Sequence, residues 1–190
     1  MTINIIQSFQ NIHFPKHARP LVICDIDFTF LRSKTNDDFY YQLIKDNLFM
    51  NQEMEYYILS FLHKDIQESY ICQTDCIGFQ LMLQIIHLLN GRFIFLTSRN
   101  KNTHAKTLYD LSKVGLVNPV QFEIHYTNNN IQKGDYIKDK IIKQNKQNKQ
   151  NKQNNNYNHF IFIDDCIETI HYASHIMPQL CCYIFKYKQL

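Results

Sequence analysis

The chain has 190 residues, 45% hydrophobic and 19% charged, enough apolar material for one domain with a sizeable core. Such a composition excludes a wholly disordered chain and a fibrous or collagen-like one. Lysine plus arginine exceed aspartate plus glutamate by 20 to 17, and part of that excess lies in one repetitive stretch, so the balance is too weak to argue nucleic-acid binding.

The first twenty residues interleave Asn, Gln, Lys and His with apolar side chains, and the hydrophobic stretch of a secretory signal does not form. No apolar run reaches the roughly eighteen residues a membrane span requires. The expectation is a protein of the cytoplasm, outside any membrane. Of its six cysteines, Cys24, Cys166, Cys181 and Cys182 sit in or beside apolar, strand-like runs, where a free thiol behaves as a small hydrophobe. Buried, reduced thiols are expected rather than bridges. Cys72 and Cys76 form a C-x-x-x-C with His63 and His87 at a distance, a spacing that completes no usual zinc site.

In chain order, the first strong element is Leu21-Val22-Ile23-Cys24, a continuous apolar run leading into Asp25-Ile26-Asp27-Phe28-Thr29. Runs this short without alternation suit strands buried on both faces, as in a parallel sheet covered by helices. Residues 36–70 intervene before the next element. Phe39, Leu43, Leu48, Tyr56, Leu59 and Leu62 suggest two short helices there, a small cap insertion over the mouth of the site. From Ile77 to Asn90 apolar residues recur at helical spacing, with Gly91 as the expected left-handed stop. Arg92 to Leu96 is the second strand, ending at Thr97-Ser98-Arg99-Asn100. Thr103 to Val114 is a second helix, stopped at Gly115, and a third begins near Lys133. Residues 144–156 repeat Asn-Lys-Gln without one apolar residue, so ordering them would bury nothing, and a disordered loop is predicted. His159 to Ile163 is the third strand, ending at Asp164-Asp165. Strand alternating with helix predicts an α/β, Rossmann-like parallel sheet with right-handed crossovers and helices on both faces, in a single domain over 1–190. Ligands of such sheets bind beyond the carboxyl ends of the strands, so the three polar clusters are predicted to share one crevice.

The chemistry of those clusters is coherent. In D-x-D-x-T the first carboxylate, Asp25, can attack phosphorus, the second, Asp27, can deliver a proton, and Thr29 can brace the turn. Carboxylates this close repel unless a cation joins them, and Asp164 and Asp165 add the oxygen ligands that Mg²⁺ prefers. Four carboxylates against one divalent cation and one lysine still leave the site negative, so strain is expected when the metal is absent. Thr97 or Ser98 offers a hydroxyl to a phosphoryl oxygen, and Lys133 a point charge. Arg99 has two open roles: binding a second anionic group of a substrate, or pairing with a neighbouring carboxylate.

Taken in this order, Asp25-Ile26-Asp27-Phe28-Thr29, then Thr97 after Phe93 to Leu96, then Lys133-Gly134, then Asp164-Asp165 after Phe160 to Ile163, the chain resembles the haloacid dehalogenase superfamily over roughly residues 20 to 170. The segments Leu96 to Asn100 and Phe162 to Asp165 also look like its DUF2608 group of bacterial and viral proteins, a weaker match than that to the superfamily. The resemblance implies Mg²⁺-dependent phosphoryl transfer through an aspartyl-phosphate. Asp25 would be the nucleophile and Asp27 the general acid/base. Thr97 and Lys133 would hold the transferring group, with Ser98 and Arg99 beside them at the substrate. The metal would rest on the Asp25 carboxylate, the Asp27 backbone carbonyl and Asp164, with Asp165 acting directly or through water. Phe28 and Phe30 depart from the residues common in that family.

The implied substrate is a small phosphomonoester or nucleotide. Two alternatives stay open: a catalytically inactive member kept as an interaction scaffold, and a phosphatase of nucleic-acid ends reached by the Asn-Lys-Gln loop. A receiver domain would place its acidic pair first, the reverse of the order here, and a P-loop kinase would need the missing G-x-x-x-x-G-K-[ST]. The Asn, Lys and Ile bias suggests an AT-rich genome, such as that of a large DNA virus or a protist parasite.

Overall fold

The computed structural model describes residues 3–33, 71–116, 118, 122–143, 145 and 157–186. Its elements are β1 (Ile3–Ile6), β2 (Pro20–Cys24), β3 (Leu31–Ser33), β4 (Ile71–Gln73), α1 (Cys76–Leu88), β5 (Arg92–Thr97), α2 (His104–Lys113) and β6 (Glu123–Tyr126). There follow α3 (Lys133–Tyr136), which runs on as a π-helical segment over Ile137–Ile142, then β7 (His159–Asp164), α4 (Ile167–Ile176) and β8 (Leu180–Phe185). Six strands form one sheet in the order β1-β8-β7-β2-β5-β6, every neighbour parallel. β3 and β4 make a separate antiparallel pair.

All five residues of β2 are buried, as a central strand without alternation requires. Its side chains divide by parity between two cores. Val22 and Cys24 join Phe93, Phe95, Ile161 and Ile163 beneath α1 and α2, where Phe79, Met82, Ile86 and Leu111 close the layer. Leu21 and Ile23 join Ile94, Leu96 and Phe162 on the other face, covered by Ile137 and Ile141 of the π-helical segment and by Ile170 and Ala173 of α4. The architecture is therefore α/β and Rossmann-like, with helices on both faces. Phe79 sits at the hub of the first core, 4.6 Å from the ring of Phe30 and 5.3 Å from that of Phe93, which fastens the chain just after the D-x-D-x-T turn to the sheet.

Several local expectations shift. α1 stops at Leu88, and the left-handed residue after it is Asn90 (φ 51°) rather than Gly91. Gly91 is needed for space: a Cβ there would come within 2.6 Å of the Pro20 carbonyl oxygen, where β5 starts beside β2. Gly115 does take the left-handed stop, at φ 88°. β1, β6 and β8 complete the sheet around the three strands read from the sequence. β6 escapes a pattern reading because Glu-Ile-His-Tyr is a half-buried edge strand with polar residues on one face.

All six cysteines are unbridged. Cys24 and Cys182 are buried, whereas Cys166 and Cys181, expected inside, are only half-buried. No helix among the described residues is long and apolar enough to cross a membrane. The predicted insertion, 36–70, lies outside the described residues, and so does the predicted loop 144–156 apart from Asn145. That residue is buried, and its side-chain amide pairs with both the backbone carbonyl and N–H of Tyr157.

Candidate active site

β7, β2 and β5 are adjacent, so their carboxyl ends bring Asp164, Asp25 and Thr97 side by side. Asp25 continues β2 by one residue, its N–H donating to the Ile163 carbonyl at 2.9 Å. Its carboxylate is 2.7 Å from Lys133 Nζ, which also donates to Asp164 Oδ2 at 2.8 Å. Lys133 is buried, as are both partners, although a lysine beside a glycine is ordinarily solvated. Gly134 eases this: a Cβ at that position would lie 3.0 Å from Ala173 Cα, so glycine lets α3 seat closely against α4 beside Lys133.

Asp164 turns its other oxygen, Oδ1, to the N–H of Cys166 at 2.9 Å, an Asx-type turn that fixes the carboxylate at the strand end. Asp165 Oδ1 accepts from the Thr29 hydroxyl at 3.0 Å, which ties the D-x-D-x-T turn to the Asp-Asp pair. One oxygen from each of Asp25, Asp164 and Asp165 lies within 4.8 Å of the others. Among the described residues this is the one cluster of that kind. Its donors are all oxygen, the set that suits Mg²⁺. The Asp27 side chain stands outside it.

Asp27 is held instead by Arg99. Both its oxygens accept from the guanidinium, Oδ1 from Nη2 at 2.7 Å and Oδ2 from Nε at 2.9 Å, the bidentate fork that Arg alone provides. Arg99 Nη1 donates to Asp110 Oδ2 at 2.8 Å and to the Thr107 hydroxyl at 3.3 Å, both on α2. Lys106 Nζ donates to the same Asp110 oxygen at 2.7 Å. Of the two roles open to Arg99, these contacts are the carboxylate pairing. The network had a trace in the sequence: α2 buries Thr107, Asp110 and Leu111, so an aspartate sits on the face that should be apolar.

Thr97 is fully buried, and its hydroxyl accepts from the Arg99 N–H at 3.2 Å. Thr127, absent from the motif reading, joins it through an N–H donated to the Thr97 carbonyl at 2.9 Å. Its hydroxyl is buried without a partner among the described residues. Ser98 is half-buried between Thr97 and Arg99. The turn after Asp27 is strained, because Phe28 adopts φ 62°, a region costly for a bulky side chain. Its ring packs against the first core.

Charge is concentrated here. Burial pushes the Asp25 carboxyl well above its ordinary range; Lys133 pulls it back, and Asp164, Asp165 and Asp27 push it up again. Burial and then Asp164 raise Asp165 to about 7, against pulls from Lys133 and the Thr29 hydroxyl. Burial works against the ammonium of Lys133, yet Asp25 and Asp164 outweigh it and hold its pKa above the usual lysine value. The same contest, won by Asp27 and Asp110, raises that of Arg99. Among the described residues the ion pairs here join Arg99 to Asp27 and Asp110, Lys106 to Asp110, and Lys133 to Asp25 and Asp164.

No family model matches the chain, and no curated protein does. Among solved structures it is similar to a hydrolase from Streptococcus pneumoniae TIGR4, with a TM-score of 0.51 and 14% identity over 90% of this chain and 94% of that one. At that identity the likeness is one of fold: the chain shares the α/β, Rossmann-like architecture along nearly its whole length.

Proposed function

We propose that the protein is a Mg²⁺-dependent phosphatase of small phosphomonoesters, of the haloacid dehalogenase type, working through an aspartyl-phosphate. The observation that carries the reading is the gathering of Asp25, Asp164 and Asp165 around Lys133 at the carboxyl ends of neighbouring parallel strands. The order of the four sequence motifs supports it, and the fold shared with a hydrolase agrees with it. Asp25, Asp164 and Asp165 are the residues that would hold the metal; a bound Mg²⁺ supplies positive charge to the phosphoryl oxygens and favours ionised Asp25.

In this mechanism an Asp25 carboxylate oxygen attacks phosphorus, and the bond from phosphorus to the leaving oxygen breaks. Asp27 delivers a proton to that oxygen. The resulting carboxylate of Asp27 then takes a proton from a water molecule, whose oxygen attacks the aspartyl-phosphate at phosphorus. Phosphate departs and Asp25 is restored. Lys133 offsets charge on the transferring group, and the Thr97 hydroxyl steers it. Phosphate release from p-nitrophenyl phosphate and a panel of phosphorylated metabolites, with Mg²⁺, tests the reading. Asp25→Asn should abolish turnover, and activity within about tenfold of the parent would refute the nucleophile assignment.

A further inference from the structure

We infer that Arg99, anchored on Asp110 of α2, is the positioning residue for Asp27, orienting the acid/base carboxylate rather than binding substrate. The inference rests on the phosphatase reading and assigns a residue that reading leaves without a task.

The geometry is restrictive at both ends of the guanidinium. On one side Nε and Nη2 grip both oxygens of Asp27, which fixes the plane of the carboxylate as well as its place. On the other, Nη1 is held by Asp110 and by the Thr107 hydroxyl. All three guanidinium nitrogens therefore donate to the protein, and four of the five N–H groups are engaged with Asp27, Asp110 and Thr107. Arg99 itself has 12% of its side chain exposed, and Asp110 none. Thr107 in turn donates its hydroxyl proton to the Thr103 carbonyl at 3.1 Å, and Lys106 gives Asp110 a second cation, so the anchor is fixed within α2. Each oxygen of Asp27 keeps a second lone pair beyond the fork. The carboxylate can thus exchange a proton with the leaving oxygen or with water while Arg99 still holds its orientation. Proton transfer depends steeply on such placement, since a misplacement of about 1 Å costs on the order of a hundredfold in rate.

The test is a double-mutant cycle on kinetics, with Arg99→Lys, Asp27→Asn and the combination, measuring kcat and KM for Mg²⁺-dependent hydrolysis of p-nitrophenyl phosphate and of an alkyl phosphate. Lysine keeps the charge and loses the fork. Arg99→Lys should lower kcat for the alkyl phosphate about ten- to a hundredfold, lower it less for the aryl ester, and leave both KM values nearly unchanged. In the Asp27→Asn background it should cost nothing further. If Arg99→Lys raises KM with kcat kept, or if the two losses multiply, Arg99 acts on substrate and the inference is overturned. Asp110→Asn, which loosens the anchor without touching Asp27, guards against a poorly folded Arg99→Lys. It should reproduce the same leaving-group pattern, and a fall in melting temperature with that pattern unchanged would mark a purely structural role. A parent that hydrolyses neither ester overturns the phosphatase reading and this one together; an active parent with multiplying losses overturns this one alone.

Discussion

Stripped of divalent cations, the protein should lose stability as the pH rises from about 4 to about 8, and Asp165 should carry much of that slope. Its carboxyl stands at about 7 in the folded protein against an ordinary 3.8. Between those values the folded state binds the Asp165 proton and the unfolded chain does not. Unfolding stability changes with pH in proportion to protons bound unfolded minus folded; that difference is negative here, so stability declines as pH rises through this window. Above both values the whole cost is present, and at about 1.4 kcal/mol for each tenfold change in proton affinity it amounts to at most about 4 kcal/mol. Asp165→Asn removes the titration and keeps an oxygen to accept from the Thr29 hydroxyl. Urea denaturation of parent and variant, in chelator, should therefore show the variant gaining on the parent from acid to neutral pH. Saturating Mg²⁺ should restore the parent at neutral pH, because a ligand bound only by the folded state stabilises it. A stability difference between the two proteins that stays constant across the range, within about 0.5 kcal/mol, would refute the reasoning.

Asp164→Ala should remove the rise in melting temperature that Mg²⁺ gives the parent, measured by thermal denaturation with and without the ion; a variant stabilised as strongly as the parent would place the metal elsewhere. Gly91→Ala should destabilise by about 1–3 kcal/mol in urea, because its Cβ would sit 2.6 Å from the Pro20 carbonyl oxygen, and a neutral result would show that β2 and β5 separate easily there. Replacing residues 146–156 with a short Gly-Ser turn should change stability little, since closure entropy varies only logarithmically with length. Extending the replacement to Asn145 should cost about 1–3 kcal/mol more, because two backbone groups of the buried Tyr157 lose their partners.

The three central strands were legible because burial on both faces removes the need for alternation, leaving dense apolar runs such as Phe160 to Ile163 that end abruptly in aspartates. The placement of Asp25, Thr97 and Asp164 follows from the same rule, since parallel strands deliver their carboxyl ends to one crevice. What the sequence concealed are the features set by packing between distant elements. Lys106 and Asp110 carry no motif, and their i, i+4 spacing on a helix is compatible with a surface pair as well as with a buried one. Only the docking of α2 turns Asp110 inward to meet Arg99, and only that meeting selects carboxylate pairing over substrate binding. Thr127 had no motif to announce it. Gly91 carried the expected sign of a helix stop, while Asn90 supplies the backbone geometry and Gly91 supplies room for Pro20.

The two arginine and lysine contacts divide the acidic crevice into separate electrostatic problems. Asp27 and Asp110 share Arg99, with Lys106 as a further counter-charge, so that half is neutralised by the chain itself and can stay fixed whether or not a ligand is present. Asp25 and Asp164 both pair with Lys133, and Asp165 beside them has no ion pair among the described residues. On the proposed reading a divalent ion would enter the second half rather than the first. The same division separates the tasks the two D-x-D carboxylates would have. Asp25 would lie where charge must be gathered for attack on phosphorus, and Asp27 would lie where a proton can be handled away from the metal. Two aspartates only one residue apart are thus given different environments by Arg99, which follows β5, and by Lys133 of α3, and on the proposed reading that difference would let one motif supply both a nucleophile and an acid.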